Sequence, residues 1–302
     1  MKDRGAGSVA KSPEMTPAVR PDESRESPQA VFLGSSGCVR IPAFFCSCVN
    51  CQASRDRAGL RRTRAGLAVL GKEVVLIDAG PDIEEQLARE KVERIDRILI
   101  THWHFDHIGG IGALGEIASI CRWHPIHVYV PSGVAFHFDQ ELAYMRSRLE
   151  IHPIVPGDSL NLPDATWKVV KTEHTEHSVG FLGLYPRRFV YLLDGVVPPA
   201  ETREAIRNVD LLITEATLDA LDASGWKNFS VSQAIDFWQQ TGIPECILTH
   251  LSCHGWRNKE LVPGMSPDER FSLEAAQPGL RFAYDGMRLP LGPRSTAPKS
   301  NE

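Results

Sequence analysis

The densest chemistry in the chain is HWHFDH at 102–107, which places His102, His104, Asp106 and His107 within six positions. Imidazole nitrogens and carboxylate oxygens are good ligands for Zn, Mn or Fe. Four such groups exceed what one ion needs if a position is to stay open for water, so the spacing suggests two metals sharing one loop. A second cluster, CSCVNC at 46–51, holds Cys46, Cys48 and Cys51 in a C-x-C-x2-C pattern. Three thiols this close cannot all pair in disulfides, and thiolates are strong zinc ligands, so a structural zinc with one further ligand is expected. A third stretch, SRDRAGLRRTR at 54–64, carries Arg55, Arg57, Arg61, Arg62 and Arg64. It reads either as a phosphate-binding segment, since guanidinium pairs bidentately with phosphate, or as a solvated loop.

Short apolar runs must position these groups. They are AVFLG at 30–34, VVLID at 74–78, RILIT at 97–101, IHVYV at 126–130, WKVVK at 167–171, FVYLLD at 189–194, DLLIT at 210–214, CILTH at 246–250 and LRFAY at 280–284. Their length and their content of Val, Ile, Leu, Tyr and Phe suit buried strands. Helical patterns fall at 81–90, 138–149 and 230–242, the last with Ser230 as N-cap and Gly242 as its stop. Strands come in groups rather than in strict alternation with helices, which favours sheets covered by external helices over a Rossmann or TIM arrangement. Asp78, His102, Asp194, Glu215 and His250 each fall at or just past the end of such a run, and Gly109-Gly110 after the histidine cluster permits close backbone approach.

The bulk properties narrow the class. The chain has 302 residues, 42% hydrophobic and 24% charged, with a formal net charge of -5. That acidity argues against a general nucleic-acid surface. No apolar run reaches the 18 residues of a membrane span. Residues 1–30 are rich in Pro, Ser and charge and lack a leader's apolar core, so a disordered tail is expected there. Residues 293–302 read the same way, leaving 31–292 as one folded domain. Without a leader the expected location is the cytoplasm, where the seven cysteines would stay reduced.

The run HWHFDH resembles the H-x-H-x-D-H signature of the metallo-β-lactamase superfamily. FLGSSG at 32–37, LIDAG at 76–80, YLLDG at 191–195 and ILTHLS at 247–252 resemble that family's other landmarks. The resemblance covers roughly residues 31–290 and implies an α/β fold of layered type, an αββα sandwich with two sheets back to back and helices outside. It implies two active-site divalent ions, Zn or Mn, with Fe as a third option. His102 and His104 would hold the first, Asp106, His107 and His250 the second, and Asp194 both. The remaining ligand of the first ion falls in TEHTEHSVGF. His174, six residues before Gly180-Phe181, is preferred, with His177 as the alternative. The cysteine cluster resembles the branch that includes the cyclic-phosphate phosphodiesterase of carbon–phosphorus lyase pathways and the pyrroloquinoline quinone biosynthesis protein B. There the offset after the last active-site His implies Cys253 as the fourth ligand of a structural zinc, with His254 as the alternative.

The resemblance implies a hydrolase acting on a small phosphodiester or cyclic phosphate through a hydroxide bridging the two metals, with Asp106 as the catalytic carboxylate. A homodimer is common among such relatives, and no membrane partner is expected. Two other readings are RNA processing of the tRNase Z type and a non-hydrolytic role in cofactor biosynthesis. One departure stands out: where phosphodiesterase relatives carry a further His near the leaving group, the position falls at Phe229, with Lys227 or His254 as the nearest substitutes. Glu215, in TEATL, resembles the acidic residue that orients this His in tRNase Z.

Overall fold

The computed structural model describes residues 27–218, 227–257 and 260–293. Of the expected tails at 1–30 and 293–302, residues 1–26 and 294–302 lie outside the described residues, and the first strand begins at Gln29 rather than after residue 30. Ala30 is fully buried there, paired to both neighbouring strands, which is why the boundary moves.

Strands β1 (Gln29–Gly34), β2 (Gly66–Leu70), β3 (Val74–Ile77), β4 (Arg97–Leu99), β5 (Ile126–Pro131) and β6 (Leu149–Ile154) build most of one sheet. Strands β7 (Ser159–Asn161), β8 (Thr166–Lys171), β9 (Val179–Leu184), β10 (Phe189–Leu192), β11 (Leu211–Glu215) and β12 (Glu245–Thr249) build most of the other. A two-stranded ribbon, β13 (His254–Arg257) and β14 (Glu260–Pro263), follows. Strand β15 (Leu280–Phe282) then joins the second sheet and β16 (Arg288–Pro290) returns to the first. The orders are β16-β1-β2-β3-β4-β5-β6 and β15-β12-β11-β10-β9-β8-β7. In each sheet four adjacent strands run parallel, β3 to β6 and β10, β11, β12, β15, while the rest pair antiparallel.

Alternation along the strands explains the layers. Phe32, Leu67, Ile77, Trp167, Phe181, Tyr191 and Ile213 face inward and form the core between the sheets. Val31, Leu33, Ala68, Leu76, Ile98 and Val128 face outward and pack under helices α1 (Ile83–Glu90), α2 (Ile111–Ile120) and α3 (Ala135–Glu141). Val190, Leu212 and Leu248 do the same beneath the helix Val231–Thr241. Where both faces are covered, as in β3, β10 and β11, the strands read as apolar runs. The result is the expected αββα sandwich.

Some expected boundaries shift. The helical pattern at 138–149 ends as a helix at Glu141, tightens into a single turn at Ala143–Met145, and yields Leu149 to β6. Leu149 is fully buried beside Ile126, and pairing along the sheet outweighs its helical spacing. The helix Val231–Thr241 does start after Ser230, whose hydroxyl accepts from the Gln233 N–H in a capping box, and it stops at Gly242 with φ 69°. Among the described residues no helix is long and apolar enough to cross a membrane.

Candidate metal centre

The parallel strands of both sheets point their C-terminal ends the same way, and the chemistry collects there. Asp78 follows β3, His102 follows β4, Asp194 follows β10, Glu215 ends β11 and His250 follows β12. Three of these take a left-handed backbone, Asp78 at φ 63°, Asp194 at 50° and His250 at 56°. Such conformations in non-glycine residues concentrate at functional sites, where surrounding structure holds them.

The histidine run splits in two. His102 and His104 lie on the turn after β4, while Asp106 and His107 sit on the one-turn helix Phe105–Ile108. Two glycines let this turn press against the segment after β3. A Cβ on Gly80 would lie 2.1 Å from the Asp106 carbonyl oxygen, and one on Gly110 would lie 2.4 Å from that of Gly80. Trp103 turns away and stacks on His137 at 4.7 Å, whereas Phe105 is largely exposed.

Seven of the eight residues named as active-site candidates converge. The ligand atoms of His102, His104 and His174 lie within 4.8 Å of one another, as do those of Asp106, His107 and His250. Asp194 stands between the groups. Its Oδ2 is 3.7 Å from His102 Nε2, 2.8 Å from His107 Nε2 and 3.4 Å from His250 Nε2. Asp106 Oδ2 is 3.4 Å from Nε2 of both His107 and His250. His174 Nε2 lies 3.2 Å from His104 Nδ1. The alternative, His177, is exposed and its ring rests where a Gly133 Cβ would be.

The donor set fits metal ions on an observation independent of spacing. His102 Nε2, His107 Nε2 and Asp194 Oδ2 are buried and meet no hydrogen-bonding group outside the ligand set. Orphaned polar atoms of this kind cost free energy, and three of them turned toward one another are what cations would satisfy. The opposite ring atoms are held. His107 Nδ1 is 2.7 Å from Asp78 Oδ2, His102 Nδ1 is 3.0 Å from Thr101 Oγ1, and His250 Nδ1 is 2.7 Å from Thr217 Oγ1. Such partners fix ring orientation and tautomer. Burial pushes Asp106 toward the neutral acid, but the adjacent His107 and His250 rings outweigh it and hold the carboxyl well below the usual range. Burial and then the Asp194 charge push Glu215 up to about 7.

Two residues come out differently from the sequence reading. Phe229 does not face the site. It is buried in the outer core and stacks on Phe237 with ring centroids 5.5 Å apart. The side chain that reaches inward is Asn228, one residue earlier, whose amide donates to Asp194 Oδ1 at 2.7 Å and to both Glu215 oxygens at 2.9 and 3.0 Å. The register follows from Ser230, which must sit at the N-cap, and from the Leu218–Ser230 bridge. Asn228 was missed because a lone Asn in a polar stretch carries no spacing signal. A cavity of about 640 Å³ opens over the cluster, lined among others by Val39, Phe45, His104, Asp106, Lys227, Asn228 and His254.

The Sγ atoms of Cys46, Cys48, Cys51 and Cys253 also lie within 4.8 Å of one another. Both candidates for the fourth position are present, since His254 Nδ1 is 2.9 Å from Cys253 Sγ and its Nε2 is 3.0 Å from Cys46 Sγ. The basic stretch is in part the solvated loop expected, with Arg55, Arg57 and Arg61 exposed, whereas Arg62 is buried. Arg55 donates to the carbonyls of Ala43 and Cys46, Arg61 to that of Ser54, Arg62 to Ser35 Oγ and the Ala283 carbonyl, and Arg64 to the Cys38 carbonyl and Asp82. Arg55 thereby braces the loop that carries Cys46.

Comparison with known proteins places this architecture. An octanoyltransferase of Porphyromonas gingivalis is 28% identical over 270 residues, covering 86% of this chain, which spans only 51% of that protein's length. A diphosphatase of the PhnP family superposes with a TM-score of 0.72 at 23% identity, over 87% of this chain and 97% of that one. Zn2+-bound PqqB from Methylobacterium extorquens superposes equally, TM-score 0.72 at 20% identity over 86% and 99%. Both structures share the fold. The family model for the beta-lactamase superfamily domain matches residues 73–251, the span from β3 through the turn after His250, and the chain belongs to that superfamily.

Proposed function

We propose that the protein is a dinuclear metal-dependent hydrolase of a small phosphodiester or cyclic phosphate. The observation that carries this reading is the pair of three-ligand groups meeting at Asp194, with three buried ligand atoms lacking any other partner. His102, His104 and His174 would hold one ion, Asp106, His107 and His250 the other, and Asp194 would touch both. Zn, Mn or Fe suits such donors. Two ions held there supply Lewis acidity toward phosphoryl oxygens and acidify water.

The chain's own residues do the remaining work. Asp106, kept ionised and at the cavity wall, is the carboxylate placed to orient an entering water and take its proton. Asp78 and Thr217 lock the tautomers of His107 and His250. Asn228 ties Asp194 to Glu215, but an amide is no general acid. Lys227 lines the same cavity and is the group available to meet the substrate's charge or protonate a leaving oxygen, whereas both ring nitrogens of His254, which also lines it, face cysteine thiols. The cavity volume suits a small molecule. A structural zinc on Cys46, Cys48, Cys51 and Cys253 would tie the loop after β1 to the turn that carries His250.

The test is hydrolysis of bis(p-nitrophenyl) phosphate by Mn- and Zn-loaded protein beside Asp106→Ala. Turnover that disappears in the variant supports the reading. Its absence from metal-replete wild type overturns phosphodiester hydrolysis and shifts weight to a non-hydrolytic role.

A further inference from the structure

A second group of ligand-type side chains sits at the other end of the sandwich. His127 is the second residue of β5 and Glu150 the second of β6, whereas the residues described above follow the strands' C-terminal ends. The register pairs His127 with Glu150 and Tyr129 with His152, so all four side chains share one face of two adjacent parallel strands. His127 Nδ1 is 2.9 Å from His152 Nε2 and 3.4 Å from Glu150 Oε2, and His152 Nε2 is 3.6 Å from Glu150 Oε1.

Hydrogen bonding satisfies this arrangement only in part. Each ring presents a single nitrogen to the cluster, and each nitrogen carries at most one proton. A proton shared across the 2.9 Å pair leaves the carboxylate facing two nitrogens that have none left to offer it. A cation answers all three lone pairs at once. Tetrahedral zinc with bonds near 2.0–2.2 Å sets its ligand atoms roughly 3.3 Å apart; here the two nitrogens stand 2.9 Å apart, each meets its own oxygen of the Glu150 carboxylate, at 3.4 and 3.6 Å, and one ligand atom from each residue lies within 4.8 Å of the others. The platform is also rigid. The Tyr129 ring stacks on His152 at 4.8 Å, and Arg97 donates to the Tyr129 hydroxyl at 2.8 Å. Arg97 itself does not repel a cation at full strength, because Glu73 pairs with it at 2.5 and 3.0 Å.

We propose that His127, Glu150 and His152 form a divalent-metal site, separate from the proposed catalytic centre and from the cysteine cluster. Two imidazoles and one carboxylate favour Zn2+ or Cu2+ over Mg2+ or Ca2+. The remaining coordination position is open to water, because Glu150 is more than half exposed. The ion would clip β6, the edge strand of its sheet, to β5.

The experiment uses the full chain, saturated with zinc and gel-filtered so that only tightly held ions remain, then titrated with Zn2+ against a chromophoric chelator. Wild type is expected to take one further equivalent. Glu150→Gln and His152→Ala should each weaken that equivalent by about tenfold or more, while the retained ions and the far-ultraviolet circular dichroism stay as in wild type. Glu150→Gln is the decisive variant, since an exposed side chain is replaced by its isostere. No further equivalent in wild type, or wild-type affinity in Glu150→Gln, overturns the site. Neither result depends on turnover, so the outcome stands apart from that of the phosphodiester test.

Discussion

Replacing Asp78 by Asn changes one atom and tests the logic of the centre. Asp78 is fully buried and uses its oxygens in two directions. Oδ1 accepts from the Thr101 N–H at 2.9 Å, and Oδ2 lies 2.7 Å from His107 Nδ1. Both neighbours are donors when His107 offers its Nε2 lone pair to the centre. Asn has one acceptor and one donor group, so its amide must face either the Thr101 N–H or the His107 Nδ1–H. In the first case a buried donor is left unpaired, which costs about 1–3 kcal/mol. In the second the imidazole turns to the other tautomer and loses its metal-binding lone pair on Nε2. Loss of such a supporting partner lowers metal affinity by roughly 10–100-fold. The assay is a competition titration with a chromophoric chelator, paired with thermal unfolding of the metal-loaded protein. Asp78→Asn should show weaker binding of the ion that His107 holds, a lower unfolding midpoint, or both. Wild-type affinity together with a wild-type midpoint would refute the claim that Asp78 sets the His107 tautomer.

Three further outcomes follow from the same geometry. Asn228→Ala should reduce kcat/KM on the order of 10–100-fold by releasing Asp194 and Glu215 from their common donor, whereas Phe229→Leu should lower the unfolding midpoint without a comparable loss of activity; the reverse pattern in steady-state kinetics would restore Phe229 to the site. His174→Ala should lose an equivalent of active-site metal, measured by elemental analysis after dialysis, while His177→Ala retains it. Ser230→Ala should cost about 1 kcal/mol in urea unfolding, from the lost N-cap of the helix beside Asn228.

Much of this protein is legible in its sequence because the signals are local. A strand buried on both faces needs an unbroken apolar run, so RILIT, FVYLLD and CILTH announce themselves. The turns beyond those strands carry ligands close together in sequence, and His102, His104, Asp106 and His107 are therefore recognisable before any fold is known. Short strands such as Ser159–Asn161 and Arg288–Pro290 are not, since three residues carry no period and exist only because a neighbour pairs with them. The same holds for β6, whose Glu150 and His152 read as polar until the register sets them against His127.

Residue type and spacing by themselves determined the layered fold, the ligand run and the cysteine cluster. Tertiary structure alone separates His174 from His177, three residues apart in one turn, because only packing shows which ring faces His104 and which rests on Gly133. It likewise brought Asn228 to Asp194 across 34 residues of chain and turned Phe229 into the core. Direction is the physical reason: a sequence states which groups are present, but which way each side chain points is set by strand register, helix caps and the elements packed against them.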